Sequence, residues 1–213
     1  YERVEIGLFY NQILHDQLSI HKNDATKKIV VAIQEILERN HRGLSSLSCI
    51  GVNQGPGPFT TLRTVLATVN GLAYASGLPL VPINGLHALL THHAENQPSK
   101  KNCIALLNAF GKDIFYAWYD QSESIVYGCE SAETCITTIS QYSSITHPLF
   151  IGNGAYAYKE LITARIGHAE FIENVPCAPL LAIGLATFDY LQKNSSIITS
   201  VMPLYLKNSY QTR

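Results

Sequence analysis

The sequence predicts an α/β protein built from two similar halves. Short apolar runs alternate with stretches of helical period, the pattern of strands that alternate with helices. Each half begins with apolar runs joined by turns, as in antiparallel strands, and continues with alternating helices and strands. A polar stretch from Glu95 to Asn102 separates them. We therefore predict a duplicated α/β unit, with a first lobe at residues 1–95 and a second at 96–213.

The first half is predicted to be a hairpin followed by helix, strand, helix, strand and a short helix. Its strands are expected at 4–9, 13–20, 47–52 and 80–83, and its helices at 25–40, after the Gly/Pro loop up to about 76, and at 85–94. Asp24 is a suitable N-cap for the helix at 25–40. The apolar face of that helix is predicted to consist of Ile29, Val30, Ile33, Ile36 and Leu37.

The second half restarts with strands and then alternates. Its strands are expected at 103–108, 114–119, 124–127, 149–151 and 170–172, and its helices at 132–142, 156–164 and 179–193. Tyr116, Trp118 and Tyr119 fall on one of these strands and are interpreted as ordinary sheet residues.

The most distinctive stretch is the loop between the strand at 47–52 and the helix that follows it. Its motif residues are Gly55, Pro56, Gly57, Phe59, Thr60 and Arg63. A loop between strand and helix lies at the ligand-facing end of a sheet, and glycines there permit positive φ or close approach of a phosphate. Thr60 or Thr61 is expected to cap the first free amides of the helix.

An anion site at this loop is the first functional candidate, because a helix N-terminus and glycine amides attract phosphates. The Walker pattern is absent and the loop contains no Lys, so a P-loop nucleotidase is disfavoured. Arg63 is instead expected to point inward and tie the loop to a carbonyl or carboxylate. The loop is then a structural hinge that sets the angle of the next helix.

That helix carries two different stripes. Its predicted core stripe is Leu62, Val65, Leu66, Val69, Leu72 and Ala73. A second stripe consists of small residues, and we call it the small-residue face: Thr64, Ala67, Thr68, Gly71 and Ala75. Glycine inside a helix costs about 1 kcal/mol relative to alanine, so Gly71 indicates that another segment packs closely against it. Two interpretations remain open: a contact within this chain, and a helix of a partner protein.

Composition limits the other functions. A net charge of -1 argues against a strong electrostatic grip on nucleic acid, and the longest apolar runs are far shorter than the roughly 20 residues of a membrane span. Five scattered cysteines without a C-x-x-C pair indicate neither disulfides nor zinc, which fits a reducing cytoplasm. His87, His92 and His93 lack metal-ligand spacing. The sequence therefore predicts no metal site and no catalytic residues.

The motif and the segments after it resemble the TsaB (YeaZ) family. The resemblance rests on G-P-G-x-F-T-x-L-R, the small-residue helix with Gly71-Leu72-Ala73-Tyr74, the strand with Gly77-Leu78-Pro79-Leu80-Val81, and Leu86-His87-Ala88-Leu89. Later segments that resemble family blocks are Leu106 to Tyr119, Ile151 to Ala155, Pro176 to Ala186 and Met202 to Lys207. The resemblance covers essentially the whole chain. It implies an actin/Hsp70/sugar-kinase (ASKHA) type of fold, with two RNase H-like lobes, mixed sheets and a smaller second lobe.

The resemblance also implies a function. TsaB-like proteins are non-catalytic relatives of TsaD, which threonylcarbamoylates the adenosine beside the tRNA anticodon. This chain is then expected to bind TsaD through its first-lobe helices, to be joined by TsaE, to form a homodimer when alone, and to meet tRNA only indirectly. It is expected to bind no cofactor alone, although ATP or ADP could occupy the complex interface. The alternative is an active enzyme of the same fold, either a nucleotide hydrolase or a glycoprotease-like metallopeptidase.

Three features depart from the family pattern. Pro58 and Thr61 replace the usual Ser and second Gly of the loop, which stiffens it, and Asn108-Ala109-Phe110 stands where relatives often have Asp-Ala-Arg. The first family strand is missing before Tyr1, where no initiator Met is present. Because that strand lies between the hairpin and the motif strand, we expect it to exist upstream.

Overall fold

The chain folds into two compact α/β units. This computed structural model describes residues 1–143, 145–194 and 198–207. The first unit comprises Tyr1–Asn84 and Leu180–Leu204, and the second comprises Gly85–Pro179 and Tyr205–Arg213. The two units contain nearly the same number of residues, so neither is markedly the smaller one.

The elements alternate much as the sequence predicts. The strands are β1 (Arg3–Tyr10), β2 (Ile13–His21), β3 (Ile50–Gly55), β4 (Leu80–Asn84), β5 (Cys103–Asn108), β6 (Asp113–Tyr119), β7 (Ile125–Ser131), β8 (Leu149–Ile151) and β9 (Glu170–Phe171). The helices are α1 (Ala25–Arg39), α2 (Phe59–Ser76), α3 (Gly85–Ala94), α4 (Ala132–Gln141), α5 (Asn153–Ala157), α6 (Lys159–Arg165) and α7 (Leu180–Lys193).

The division between the units differs from the predicted boundary at 95/96. It lies between Asn84 and Gly85, and the segment 180–204 returns to the first unit. Helix α3 belongs to the second unit because Leu86, Leu89 and Leu90 are completely buried and the helix packs against β5 and β6. The polar stretch after α3 is therefore a loop inside the second unit.

The first unit contains two separate two-stranded sheets. Strands β1 and β2 form an antiparallel hairpin, and β3 and β4 form a parallel pair. Helix α1 covers the hairpin, where Val4 packs with Ala25 and Ile29. Helix α2 covers the parallel pair, where Val52 packs with Leu66.

The second unit contains one mixed sheet of five strands, in the order β7-β6-β5-β8-β9. Its central strand β5 is antiparallel to β6 and parallel to β8. The core joins β5 and β6 to helix α4, with Ile104, Trp118 and Ile136 in one buried cluster. Tyr116 stacks on Trp118 in this sheet, which confirms the interpretation of the strand aromatics as sheet residues.

Several local predictions were wrong. Strand β3 begins at Ile50 rather than 47 and continues to Gly55. The helix expected at 156–164 is divided into α5 and α6 at Tyr158. Asp24 precedes α1, but its carboxylate accepts a hydrogen bond from Lys28 Nζ at 2.8 Å and makes no side-chain cap. Val30 is 53% exposed, since a helix can turn only part of an unbroken apolar run toward one core.

Candidate partner-binding face

The Gly/Pro loop is built as a tight exit from β3. Gly55 has φ +114°, a conformation that favours glycine, and a Cβ there would lie 3.0 Å from Cδ2 of Leu62, so a side chain would also require Leu62 to shift. The Gly55–Pro56 peptide is cis. Gly57 has open space around its Cβ position. Of the two glycines predicted to shape this loop, Gly55 is therefore the one that forms the turn.

The start of α2 differs from the prediction that Thr60 or Thr61 caps it. Pro58 occupies the N-cap position without a side-chain cap, and its carbonyl accepts the amide of Leu62 at 2.9 Å. Thr60 and Thr61 already lie in the first turn of the helix.

Arg63 is exposed, so the predicted inward orientation was wrong, and its tie to a carbonyl or carboxylate stays a prediction. Its guanidinium carbon lies 3.6 Å from the ring centroid of Phe59, four residues earlier. This is a cation–π contact on the surface of the first turn. Phe59 remains half-exposed beneath it.

The core stripe of α2 is confirmed except at Leu72, which is half-buried and does not belong to the same cluster. Leu66, Val69 and Ala73 are buried against β3, β4 and Val201, and Leu62 and Val65 are partly buried beside them. Helix α2 ends at Ser76, as predicted, and Gly77 caps it in the left-handed conformation, with φ +74°.

The small-residue face lies on the opposite side of α2. Ala67, Gly71 and Ala75 are exposed, and Thr64 and Thr68 are half-buried. Apart from its chain neighbours and the nearby backbone of α2, no atom of the described residues lies within 4 Å of a Cβ placed on Gly71. The interpretation of Gly71 as a close contact within this chain was therefore wrong. The partner interpretation remains a prediction.

The two threonines of this face have their hydroxyls bonded within the helix. Thr64 Oγ1 donates to the carbonyl of Thr60 at 3.1 Å, and Thr68 Oγ1 donates to the carbonyl of Thr64 at 2.9 Å. Burying a hydroxyl without a partner costs about 1–3 kcal/mol, and here that penalty is already avoided. A partner surface could therefore cover this face without leaving these two hydroxyls buried and unbonded.

Three exposed apolar side chains on α1 and α2 were missed by the sequence reasoning. Tyr74 is 93% exposed and follows Gly71 by three residues, which places it on the same side of the helix. On α1, which packs against α2, Val30 and Val31 are 53% and 61% exposed. The unbroken apolar run from Ile29 to Ile33 was the available signal, because one helix face cannot bury five consecutive residues.

A segment after α7 holds α2 in place. The side chain of Asn70 makes two hydrogen bonds to Val201: it donates to the carbonyl at 3.0 Å and accepts from the amide at 2.8 Å. The amide of Leu204 donates to the carbonyl of Gln54 at 2.8 Å, beside the Gly55 turn. This segment is thus bonded to both α2 and the end of β3, which fixes the orientation of the small-residue face.

Asn108, at the position where relatives often have Asp, has a structural role in the turn after β5. Its backbone amide donates to Asn153 Oδ1 at 2.9 Å, and its own side chain accepts the amide of Phe110 at 2.8 Å. Phe110 is held with φ +62° at the tip of the β5–β6 turn. Asn108 therefore shapes a turn, and short polar side chains are suited to this task.

Burial shifts the pKa of several side chains in the second unit. Burial raises the pKa of Cys103 to about 11 and lowers the pKa of His87. The five cysteines form no disulfide bonds. Among residues 1–143, 145–194 and 198–207, no three His, Cys, Asp or Glu side chains are grouped to hold a metal ion. No helix of the described chain is long and apolar enough to cross a membrane.

Comparison with known proteins gives matches along nearly the whole chain. The model of the family described as TsaD, tRNA N6-adenosine threonylcarbamoyltransferase, matches residues 19–208. The tRNA threonylcarbamoyladenosine biosynthesis protein TsaB of Haemophilus influenzae is 26% identical over 196 residues, which cover 86% of this chain and 80% of that protein. A tRNA N6-adenosine threonylcarbamoyltransferase of Lawsonia intracellularis is 40% identical over 73 residues, but these cover only 34% of this chain and 21% of that protein.

The fold is also similar to a solved one. The structure of YeaZ from Pseudomonas aeruginosa superposes with a TM-score of 0.72 at 18% identity, over 96% of this chain and 95% of that chain. The likeness to TsaB of Haemophilus influenzae and to YeaZ of Pseudomonas aeruginosa thus extends over most of each protein, whereas the likeness to the transferase of Lawsonia intracellularis is confined to about a third of this chain.

Proposed function

The chain belongs to the TsaD family and, within it, to the TsaB (YeaZ) group, and on this premise we propose that it is a non-catalytic subunit that binds and supports TsaD. The proposed process is threonylcarbamoylation of the adenosine beside the tRNA anticodon. The proposed architecture is of ASKHA type, with two RNase H-like lobes. The likeness to TsaB of Haemophilus influenzae over 86% of this chain, against 34% for the transferase of Lawsonia intracellularis, favours a subunit that supports TsaD rather than the transferase itself.

The observation that carries this proposal is the uncovered small-residue face of α2. Nothing in the described chain lies over Gly71, and Ala67 and Ala75 are exposed on either side of it. Small residues at helical spacing allow a second helix to approach closely, so that its side chains pack directly against the backbone of α2. Tyr74 supplies a large aromatic side chain beside the face, a residue type that is common in binding hot spots.

The proposal includes the other expected partners. The same face serves self-association when TsaD is absent, TsaE joins the TsaD complex, and tRNA is held through TsaD. The low net charge of -1 supports an indirect contact with tRNA. The complex works in the cytoplasm, and ATP or ADP, where present, binds at the complex interface rather than to this chain alone.

The test is to mix the purified chain with TsaD and to measure the mass of the complex by light scattering after gel filtration. We expect a heterodimer with the unaltered chain and separate proteins with Gly71→Leu, because the leucine side chain would hold the partner away from the backbone of α2. Gly167→Leu is the matched control. Gly167 has open space around its Cβ position and lies in the other unit.

Two outcomes would contradict the proposal. If Gly71→Leu leaves both self-association and TsaD binding intact, the small-residue face is not the interface. If the purified chain alone hydrolyses ATP or a peptide at an ordinary enzymatic rate of about 1 per second or more, the non-catalytic role is wrong and the alternative enzyme is favoured.

A further inference from the structure

The segment at residues 198–204 follows α2 along its length, in the opposite direction. The carbonyl of Ile198 accepts the amide of Leu80, just beyond the C-terminal end of α2, at 2.8 Å. The amide of Leu204 donates to the carbonyl of Gln54, shortly before the N-terminal end of α2, also at 2.8 Å. We call this stretch the flanking segment, because it adds surface beside the helix.

Large apolar side chains are exposed on the side of α2 that the flanking segment borders. Asn70, which bonds to Val201, marks this side. Phe59 lies eleven residues before Asn70 and Tyr74 four residues after it, spacings that return to the same side of a helix, and both side chains are more than half exposed. In the segment itself Val201 is buried, whereas the next residue, Met202, is 73% exposed. We call Phe59, Tyr74 and Met202 together the apolar flank.

The small-residue face is too small to bind a partner alone. Helix α2 has 18 residues and is therefore about 27 Å long, so a stripe about 10 Å wide along it offers about 270 Å². Each partner in a specific, stable interface buries about 800 Å². A partner on this face must therefore also cover surface beside it. The apolar flank adjoins the face, because Asn70 directly precedes Gly71 and Tyr74 follows Gly71 by three residues.

We infer that TsaD, bound at the small-residue face, also covers the apolar flank and buries Met202. This inference rests on the proposed function and extends its interface from α2 to the flanking segment. A methionine suits this role, because its unbranched side chain adapts to the shape of an apolar partner surface. The TsaD surface that meets Met202 is expected to be apolar as well, since a charged group there would lose its water without gaining a hydrogen-bond partner.

The first measurement follows the side chain of Met202 directly. The sequence contains one methionine, so a chain labelled with carbon-13 at the methionine methyl group gives one signal from this residue, and Met202→Leu identifies that signal by removing it. A soluble gadolinium chelate broadens the signals of exposed methyl groups. We expect strong broadening in the dilute, monomeric chain, because Met202 is exposed, and protection from broadening when unlabelled TsaD is added.

The second measurement is the dissociation constant for TsaD. Met202→Gln has a similar length but a polar end, and it should weaken binding at least about fivefold, because its amide would be buried against an apolar surface. Met202→Leu stays apolar and should change the dissociation constant by less than about twofold. Leu191→Gln is the matched control, because Leu191 is exposed on α7. Thr187 of α7 fills the Cβ position of Gly51, whereas the neighbouring Val52 packs with α2, so the two helices cover opposite sides of β3.

The outcomes distinguish this inference from the proposed function. Protection of the Met202 signal, with weaker binding of Met202→Gln and unaltered binding of Leu191→Gln, supports the inference. It is overturned if the signal stays broadened while TsaD is bound, or if Met202→Gln and Leu191→Gln bind TsaD equally well. The proposed function still stands in that case, provided that Gly71→Leu abolishes binding. If TsaD does not bind the unaltered chain at all, the proposed function itself fails and this inference fails with it.

Discussion

Two helical glycines that look alike in the sequence have opposite surroundings in the structure. A Cβ on Gly184 of α7 would overlap the ring of Phe9, whereas a Cβ on Gly71 of α2 would meet nothing within 4 Å. Gly184 is thus explained by packing inside the first unit. Gly71 has no such explanation within the described residues. Some other reason must account for a glycine at this position, where it lowers the stability of the helix relative to alanine.

The first prediction concerns the stability of the isolated chain. Gly71→Ala should raise the free energy of unfolding by about 1 kcal/mol, because alanine favours the helix and has room for its methyl group. Urea denaturation of a sample that is dilute enough to be monomeric measures this change. A loss of stability would show that another part of the chain covers Gly71.

The second prediction is the reverse effect at the other glycine. Gly184→Ala should lower the free energy of unfolding by about 1–3 kcal/mol, because the new methyl group must displace the half-buried ring of Phe9 or shift α7. Gly167→Ala is the control, since its site is open, and it should change stability by no more than about 0.5 kcal/mol. Equal effects of the two substitutions would contradict the contact between α7 and β1.

At the level of elements, the hydrogen bonds from Asn70 to Val201 tie the segment after α7 to α2. Val201 is 2% exposed, so its amide and carbonyl have no ready replacement in water. Asn70→Ala should therefore lower the free energy of unfolding by about 1–3 kcal/mol and speed exchange of the Val201 amide. Asn96→Ala is a suitable control, because Asn96 makes one long, exposed hydrogen bond of 3.5 Å to His92. If both variants unfold alike, the segment does not stabilise α2.

The sequence predicts the elements well wherever local pattern decides them. Helix α3 and strand β5 have the predicted bounds, and Gly77 ends α2 as expected. These features depend on periodicity and on a left-handed cap, both of which are local. Prediction fails where several local interactions compete for the same position or the same side chain. The N-cap of α2 is set by the Pro58 turn, and the carboxylate of Asp24 is engaged by Lys28 instead of a helix amide.

The candidate face was predictable in position but not in its surroundings. Helical spacing identifies Thr64, Ala67 and Gly71 as one side of α2, and the structure places them there. Whether that side contacts another segment of the chain depends on tertiary packing, which helical periodicity in the sequence does not predict. The same limit explains why α7 was assigned to the second half: its place against β1 and β3 follows from contacts between residues far apart in the sequence.

At the level of the whole molecule, charge should contribute little to the proposed complex. The chain carries a net charge of -1, and Arg63 is the one charged residue in the sequence of α2. Its guanidinium already stacks on Phe59. The small-residue face itself contains only Ala, Gly and Thr, so association through it should depend on apolar burial and close packing.

Binding of TsaD should accordingly be insensitive to salt. We expect the dissociation constant to change by less than about threefold between about 50 and about 500 mM NaCl, because added ions screen charges and leave apolar contacts intact. Titration calorimetry at several temperatures should give a negative heat-capacity change, the mark of apolar burial. Arg63→Ala is the control, because it removes the single charge of α2 and should leave the salt dependence unaltered. A dissociation constant that rises more than about tenfold over this salt range would instead indicate charged contacts, and the interface would then have to lie away from the small-residue face.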